Sequence, residues 1–415
     1  MQEVTIEKLV HGGQGLGTLP DGRKVFVWGA LPGESVSVRI IKAKRSYAEA
    51  VTEQVIHSSP VRQEPQEANY LATSPWQIVT FEAENEYKKL IVQELFTQAH
   101  VLLGDFAFTA APPEWGYRNK MEYSFWGDEG GLHLALHNRG SHHKAIVEGS
   151  KLAMPSVDAA ARAVATELHE QAIRAGDLKT IIVRSSQDGT AAASLFVKSE
   201  TFKRLTLPKE LQGLRTYYSN PKSPASVATK LLYELGDATL HDTLRGKSFT
   251  YDVDSFFQVN VPIFETVLER IQQHCKADNL VDMYAGVGSI GLSIATKQVQ
   301  LIELDAATAA MARLNAAASG TEATVVETST EKALEYITSD KPVIFDPPRA
   351  GLHTKVVGRV LEVRPPQIVY LSCNPVTQAR DLARLQSAYT ITYFEGFNFF
   401  PHTPHIETLA VLGLR

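Results

Sequence analysis

The sequence predicts a doubly wound, Rossmann-like α/β domain over residues 249–415. A small OB-like β-barrel over 1–57 and a central α+β domain over 58–248 precede it. Three observations carry this reading. From about residue 250, short apolar runs alternate with helical stretches, the rhythm of a parallel sheet whose crossovers are helices. The first of those runs leads into a glycine-rich turn, Ala285-Gly286-Val287-Gly288-Ser289-Ile290-Gly291, where such sheets meet a nucleotide. Near the beginning of the chain, β-branched runs are separated by Gly, Pro and Asp turns with no helical period between them.

Within 1–57, residues 4–6, 25–28, 35–41 and 47–55 read as strands. His11-Gly12-Gly13-Gln14-Gly15-Leu16-Gly17 reads as a glycine-rich strand or loop, not a phosphate loop, because no Lys-Ser/Thr pair and no helix pattern follow it. Glycine there suits a barrel bend or a close backbone approach. Arg39, Lys42, Lys44 and Arg45 cluster at one strand end beside Tyr47. They read either as an edge strand guarded by charge or as a patch that tracks a nucleic-acid backbone, with an aromatic for stacking. Residues 58–75, rich in Pro, Gln and Glu, read as irregular. Residues 82–99 read as a helix on the spacing of Tyr87, Leu90, Ile91, Glu94 and Leu95, and it is expected to pack on the C-terminal domain. In the central region, 122–125, 132–137, 180–183, 192–197 and 231–235 read as strands, and 156–175 as a helix opened by a Ser156 cap. The C-terminal domain follows with a helix over 262–277, its proline in the first turn, and strands over 279–284, 299–304, 323–326, 342–345 and 367–371. The last two strands, 389–394 and 406–412, have no helix between them and predict a closing antiparallel hairpin.

Composition narrows the function classes. With 415 residues, 44% hydrophobic and 21% charged, the chain has the make-up of a globular protein of two or three domains. No apolar run is long enough to span a membrane and the first residues carry no signal-peptide pattern, so a cytoplasmic protein is expected. Two cysteines, Cys275 and Cys373, exclude a disulfide framework and a four-cysteine zinc or iron–sulfur site within one chain. A net charge of −5 means that a polyanionic partner must be met by local basic patches.

The chemistry concentrates at strand ends. Gly286 and Gly288 let the backbone turn against a nucleotide, and Glu303, ending the next strand, can accept both ribose hydroxyls. A nicotinamide dinucleotide and S-adenosylmethionine both fit that turn. The dinucleotide leaves Asp346-Pro347-Pro348-Arg349 and Cys373 without a task, whereas in a methyltransferase sheet a strand-end Asp-Pro-Pro lies beside the transferred methyl. Cys373 ends an apolar strand and precedes Asn374-Pro375, which reads as a helix cap and first turn. A helix N-terminus is expected to lower the thiol's pKa, and the alternative is an inert buried cysteine. A thiolate added to carbon 6 of uracil makes carbon 5 nucleophilic. The carbon 5 proton must then be removed, and Glu407 is placed to act as that base. Its bland role is an exposed strand carboxylate.

These motifs resemble those of the RNA 5-methyluridine methyltransferases, and the resemblance covers nearly the whole chain. Asp346-Pro347-Pro348-Arg349, Ser372-Cys373-Asn374-Pro375 and His405-Ile406-Glu407-Thr408 match that family's catalytic signatures. Tyr117-Arg118-Asn119 and Phe256-Phe257-Gln258-Val259-Asn260 resemble two further family segments, and the barrel resembles the RNA-binding TRAM domain. The resemblance implies a class I S-adenosylmethionine-dependent fold, with Cys373 as nucleophile and Glu407 as base. It implies cofactor contacts from Gln258, Tyr284, Glu303 and Asp346, with Asp346 and Gln258 also holding the uracil edge. It implies RNA contacts from Arg118, Asn119 and Arg349 beside the barrel's basic cluster. Many relatives carry four cysteines near the barrel's end that bind an iron–sulfur cluster. Here Gln63-Glu64-Pro65-Gln66-Glu67-Ala68-Asn69-Tyr70 has none, so no cluster is expected, and packing by Tyr70 and Trp76 is expected instead.

The expected activity is methylation of carbon 5 of a uridine in structured RNA by a monomer that binds no metal. 23S ribosomal RNA stands ahead of transfer RNA as the substrate, and the target base is flipped out of its stack. The alternatives are an amine- or cytosine-directed RNA methyltransferase and a non-catalytic RNA-binding or RNA-folding protein.

Overall fold

A computed structural model describes residues 2–415 apart from Ala111, His142, Ala225 and Lys276. By contact the chain divides into two compact units. One comprises Met1–Ile91, Pro113–Ala238 and Phe400–His405, and the other Val92–Pro112, Thr239–Phe399 and Ile406–Arg415. No helix among the described residues is long and apolar enough to cross a membrane.

The first unit opens with a closed five-stranded barrel, ordered Gln2–Leu9, Gly15–Thr18, Lys24–Trp28, Tyr47–His57 and Ser35–Ala43. Alternate residues Val4, Ile6, Val25, Val27, Val36 and Val38 point inward and fill it. The glycine-rich segment supplies the second strand. A side chain at Gly17 would meet Val4 Cγ1 at 2.5 Å, so the barrel closes only around a residue without Cβ. Among the described residues, 35–38 of Ser35–Ala43 pair on both sides, whereas 39–43 pair only with Tyr47–His57, so Arg39 and Lys42 stand on a stretch with one open side, as the edge-strand reading expects. Beyond the barrel, buried Glu34 accepts from Arg62 at 2.5 and 2.8 Å. The 63–77 stretch is tied down by Gln77, whose amide bonds Glu67 and Ser74, and by Trp76, whose indole donates to Gly13 O at 2.9 Å. Tyr70 packs its hydroxyl against Gly29.

The same unit holds a seven-stranded sheet, ordered Lys230–Gly236, Gly213–Tyr218, Ala191–Val197, Leu178–Ser185, Lys120–Asp128, Gly131–His137 and Lys144–Ile146. The helix Pro155–Glu170 lays Val157, Ala160, Ala161, Val164 and Leu168 on one face of it. The expected Ser156 cap is not what opens this helix. Pro155 sits in the first turn, Met154 precedes it, and the Ser156 hydroxyl pairs with Ser185 at 2.8 Å. Phe400–His405 is held in this unit by a buried charged cluster. Lys88 lies 2.7 Å from Glu84 and donates to Phe400 O, while both Glu84 oxygens accept from His402 N.

The second unit is built on an eight-stranded sheet. Its order is Glu322–Glu327, Gln298–Glu303, Asn279–Asp282, Val343–Phe345, Gln367–Ser372, Glu407–Leu414, Tyr389–Phe397 and Ala107–Thr109. The first five are parallel. Glu407–Leu414 then pairs antiparallel on both sides, forming the expected hairpin. The short Ala107–Thr109 strand closes the edge, parallel to Tyr389–Phe397. The reversal of strand order beside Asn279–Asp282 opens the crevice where ligands of such sheets bind. Phe81–Gln98 is helical, and its later turns belong to this unit, with Phe96 edge-on to Phe394 at 5.0 Å. The helix expected over 262–277 runs from Val261 to His274, and Lys276 lies outside the described residues.

Candidate active site

The second unit gathers the strand-end residues at one end of its sheet. Ser372 stands opposite Thr408 in the antiparallel ladder. The next register positions outward are Cys373 on one strand and Glu407 on the other. Asp346 follows Val343–Phe345, the strand on the other side of Gln367–Ser372, and its Oδ2 accepts from Gln258 Nε2 at 3.3 Å. Thiol and carboxyls lie close enough to govern each other's protonation. Burial pushes the Cys373 thiol up to about 12, the Glu407 and then the Asp346 carboxylate adding to the rise and the Arg349 guanidinium opposing it. Burial, then Asp346, raises Glu407 well above the carboxylate range. Burial, then Asp282, brings Asp346 to about 7.

This corrects the expected lowering of the cysteine's pKa. Asn374 does cap the helix Pro375–Leu385, accepting from Val376 N at 3.2 Å. The dipole of one helix end is nevertheless outweighed by desolvation and two carboxyls. The resting thiol is protonated.

The glycine turn lies at the end of Asn279–Asp282. Gly286 and Gly288 have φ of +55° and +87°, and a Cβ on Gly288 would meet Leu292 at 2.8 Å. Glu303 pins the turn, its two oxygens accepting from Gly286 N at 2.9 Å and Asp305 N at 2.8 Å. Buried Asp282 accepts from Gly291 N at 3.0 Å and is raised to about 7, chiefly by burial. Burial raises the Tyr284 hydroxyl to about 12, and its ring lies 6.5 Å from Phe345.

Residues 332–414 match the family model for tRNA (uracil-5-)-methyltransferases, and residues 1–52 match the TRAM domain. An RNA methyltransferase of Lactiplantibacillus plantarum is 30% identical over 99% of this chain and 96% of its own length. The chain belongs to the RNA 5-methyluridine methyltransferases. Another RNA methyltransferase, from Caldanaerobacter subterraneus, is 28% identical over 99% of this chain and 98% of its own length. The crystal structure of the Pyrococcus abyssi tRNA (uracil-54, C5)-methyltransferase with S-adenosyl-L-homocysteine has the same fold. Its TM-score is 0.79 at 22% identity, covering 99% of this chain and all of that one. This RNA methyltransferase is accordingly S-adenosylmethionine-dependent and acts on uracil carbon 5.

The residues present fit an adenosyl group. A carboxylate with both oxygens at the rim of the glycine turn suits a ribose diol. Phe256 and Leu304, 60% and 69% exposed beside that rim, offer apolar surface to a base. Gly286 leaves Phe256 O and Cδ1 at 3.7 and 3.8 Å from where its Cβ would stand, an opening that a side chain would fill.

The methyltransferase's other expected RNA contacts lie in the first unit. Arg39 Nε is 2.6 Å from Glu53 and Lys42 Nζ is 3.0 Å from Glu49, so half of the barrel's basic cluster faces carboxylates. Lys44 and Arg45 are exposed. Arg118 lies over the Phe400 ring at 5.7 Å. Asn119 is fully enclosed, and with no exposure its side chain reaches no polyanion from this position. Sequence reasoning missed Gln378. The signal was there: a polar residue on the buried stripe Pro375, Gln378, Ala379, Leu382 of its helix.

Proposed function

We propose that this enzyme forms 5-methyluridine through a covalent Cys373 adduct, in structured RNA of the ribosomal (23S) or transfer class. The observation that carries the reading is the register that sets Cys373 and Glu407 side by side at the sheet's end. Cys373 Sγ, once deprotonated, bonds to carbon 6 of the uracil, and the pair from the 5,6 double bond moves onto carbon 5. The thiol proton passes to the Asp346 carboxylate, which sits at about 7, and the Glu407 carboxylate is kept for the later step. S-adenosylmethionine, when bound, supplies the electrophilic methyl group that this carbon needs. Glu407 then removes the remaining carbon 5 proton. That C–H pair rebuilds the double bond, the carbon–sulfur bond breaks, and Cys373 leaves as thiolate. Asp346 and Gln258, joined by a hydrogen bond, hold the uracil edge and the cofactor. Gln258, Tyr284, Glu303, Gly286 and Gly288 form the cofactor's cradle.

The family resemblance puts ribosomal RNA first, since it places this barrel more often in that branch. The family model and the Pyrococcus structure are named for transfer RNA, which keeps that class beside it. Tritiated S-adenosylmethionine, offered with ribosomal and transfer fractions of RNA lacking the modification, tests both points. Label in 5-methyluridine of one fraction, lost in Cys373→Ala, is expected. Label that survives in Cys373→Ala, or that enters another nucleoside, refutes the covalent reading.

A further inference from the structure

We infer that Gln378 is a positioning residue, which sets the Glu407 carboxyl for its proton-removal step while leaving Cys373 placed by its own loop. The inference rests on the covalent reading above. Gln378 has no solvent exposure, and its side chain uses all its polar atoms. Nε2 donates to Tyr370 O at 2.9 Å and to Thr408 O at 3.2 Å, and Oε1 accepts from Thr408 Oγ1 at 2.7 Å. Two of the three bonds fall on Thr408, the residue bonded to Glu407 at the very start of its strand. Glu407 therefore has its neighbour fixed to a helix as well as to a ladder.

Cys373 is held differently. The Ser372 hydroxyl exchanges hydrogen bonds with Asn374, accepting from its N and donating to its O, both at 3.2 Å. Asn374 in turn caps the helix and donates through Nδ2 to Arg349 O at 2.8 Å. Gln378 itself bonds the cysteine's strand at Tyr370, three residues back, and the Thr408 hydroxyl that it holds makes only a long 3.5 Å contact to Ser372 O. Loss of the amide therefore loosens the base more than the nucleophile. In a reaction whose last step requires the base at one defined carbon, small displacements are costly.

The test separates the two steps. RNA carrying 5-fluorouridine is trapped after thiol addition and methyl transfer, because fluorine cannot be removed as a proton. RNA carrying uridine must also pass through Glu407. For Gln378→Met, which keeps length and burial, trapping on fluorinated RNA is expected to stay within about threefold of the parent. Turnover on uridine RNA is expected to slow about tenfold or more, with a denaturant-stable protein–RNA adduct accumulating at steady state. Equal slowing of both, or turnover unchanged, overturns the inference, since a merely structural loss moves both rates together. Thr408→Val keeps the Gln378 bonds to Tyr370 O and Thr408 O and removes the hydroxyl's bond to Gln378 Oε1 with its long 3.5 Å contact to Ser372 O. It is expected to show the same split at smaller size and decides the matter if Gln378→Met does not fold. Glu407→Gln on uridine RNA is the control. If it traps no adduct, the covalent reading has failed, whatever Gln378 does.

Discussion

Asp346→Asn is expected to stabilise the protein above pH 7 while abolishing methyl transfer. Burial, with Asp282 second, raises this carboxyl from 3.8 to about 7. A raised carboxyl contributes its stability in full below about pH 4 and loses it as the pH climbs through about 7. Above that, the folded protein carries a charge it disfavours and the unfolded chain does not. A rise of ~3 units corresponds to ~4 kcal/mol. Two effects reduce it: Asp346 keeps some solvent exposure, and part of the rise is shared with Asp282. About 2 kcal/mol is a realistic gain for the single substitution. For a unit of this size that is a Tm rise of roughly 4–8 °C. Asn retains an oxygen to accept from Gln258 Nε2, so the local hydrogen bond survives. Thermal unfolding of parent and variant from pH 4.5 to 8.5 provides the measurement. The Tm gap should be near zero at the acid end and open between pH 5 and 7. A gap that is absent at pH 8.5, or equally large at pH 4.5, refutes the assignment of a strained, buried carboxyl at this position.

Three further outcomes are expected. In a Cys275→Ser background, alkylation of Cys373 by iodoacetamide should be slow at pH 8 and rise about tenfold per pH unit up to pH 10, because the thiol is pushed up to about 12; a plateau below pH 9, followed by mass spectrometry, contradicts this. Arg62→Met leaves buried Glu34 without its guanidinium and should cost about 3–5 kcal/mol in denaturant unfolding of the first unit, where a loss under about 1 kcal/mol speaks against a structural ion pair. Glu49→Gln with Glu53→Gln releases Lys42 and Arg39 from their carboxylates and should tighten RNA binding at low salt, steepening the dependence on log salt concentration by up to about 2; an unchanged slope would separate this cluster from the RNA.

The parts of this fold that were legible in the sequence are those in which one local signal dominates. Strand 367–372 carries the continuous apolar run Ile368-Val369-Tyr370-Leu371, and 279–282 and 298–303 carry the adjacent apolar pairs Leu280-Val281 and Leu301-Ile302, because both faces of a parallel sheet are buried. The strand-end residues follow from them by position alone. Ala107–Thr109, Lys144–Ile146, Gly213–Tyr218 and the ribbon Thr239–Leu244 with Lys247–Asp252 were not legible. The first two are three residues long and set by their partner strands, and the ribbon alternates too weakly to announce itself. The Ser156 cap lost to the proline before it. The thiol's pKa was misjudged for a related reason: a helix end is visible in sequence, whereas two carboxyls brought together from strands 343–345 and 407–414 are not.

The interleaved course of the chain has a consequence for its synthesis. The second unit draws its sheet edge from residues 107–109 and the hairpin beside that edge from 389–414, while the first takes residues 400–405 from between the hairpin's two strands. Neither unit can therefore finish folding on the ribosome until almost the whole polypeptide has emerged. Meanwhile the Tyr389–Phe397 strand, when it arrives, has to find partners made nearly 300 residues earlier. The nascent barrel, whose strands are all local, is free to form at once, and the seven-stranded sheet, drawn entirely from residues 120–236, is the next element that can close before the rest of the chain arrives.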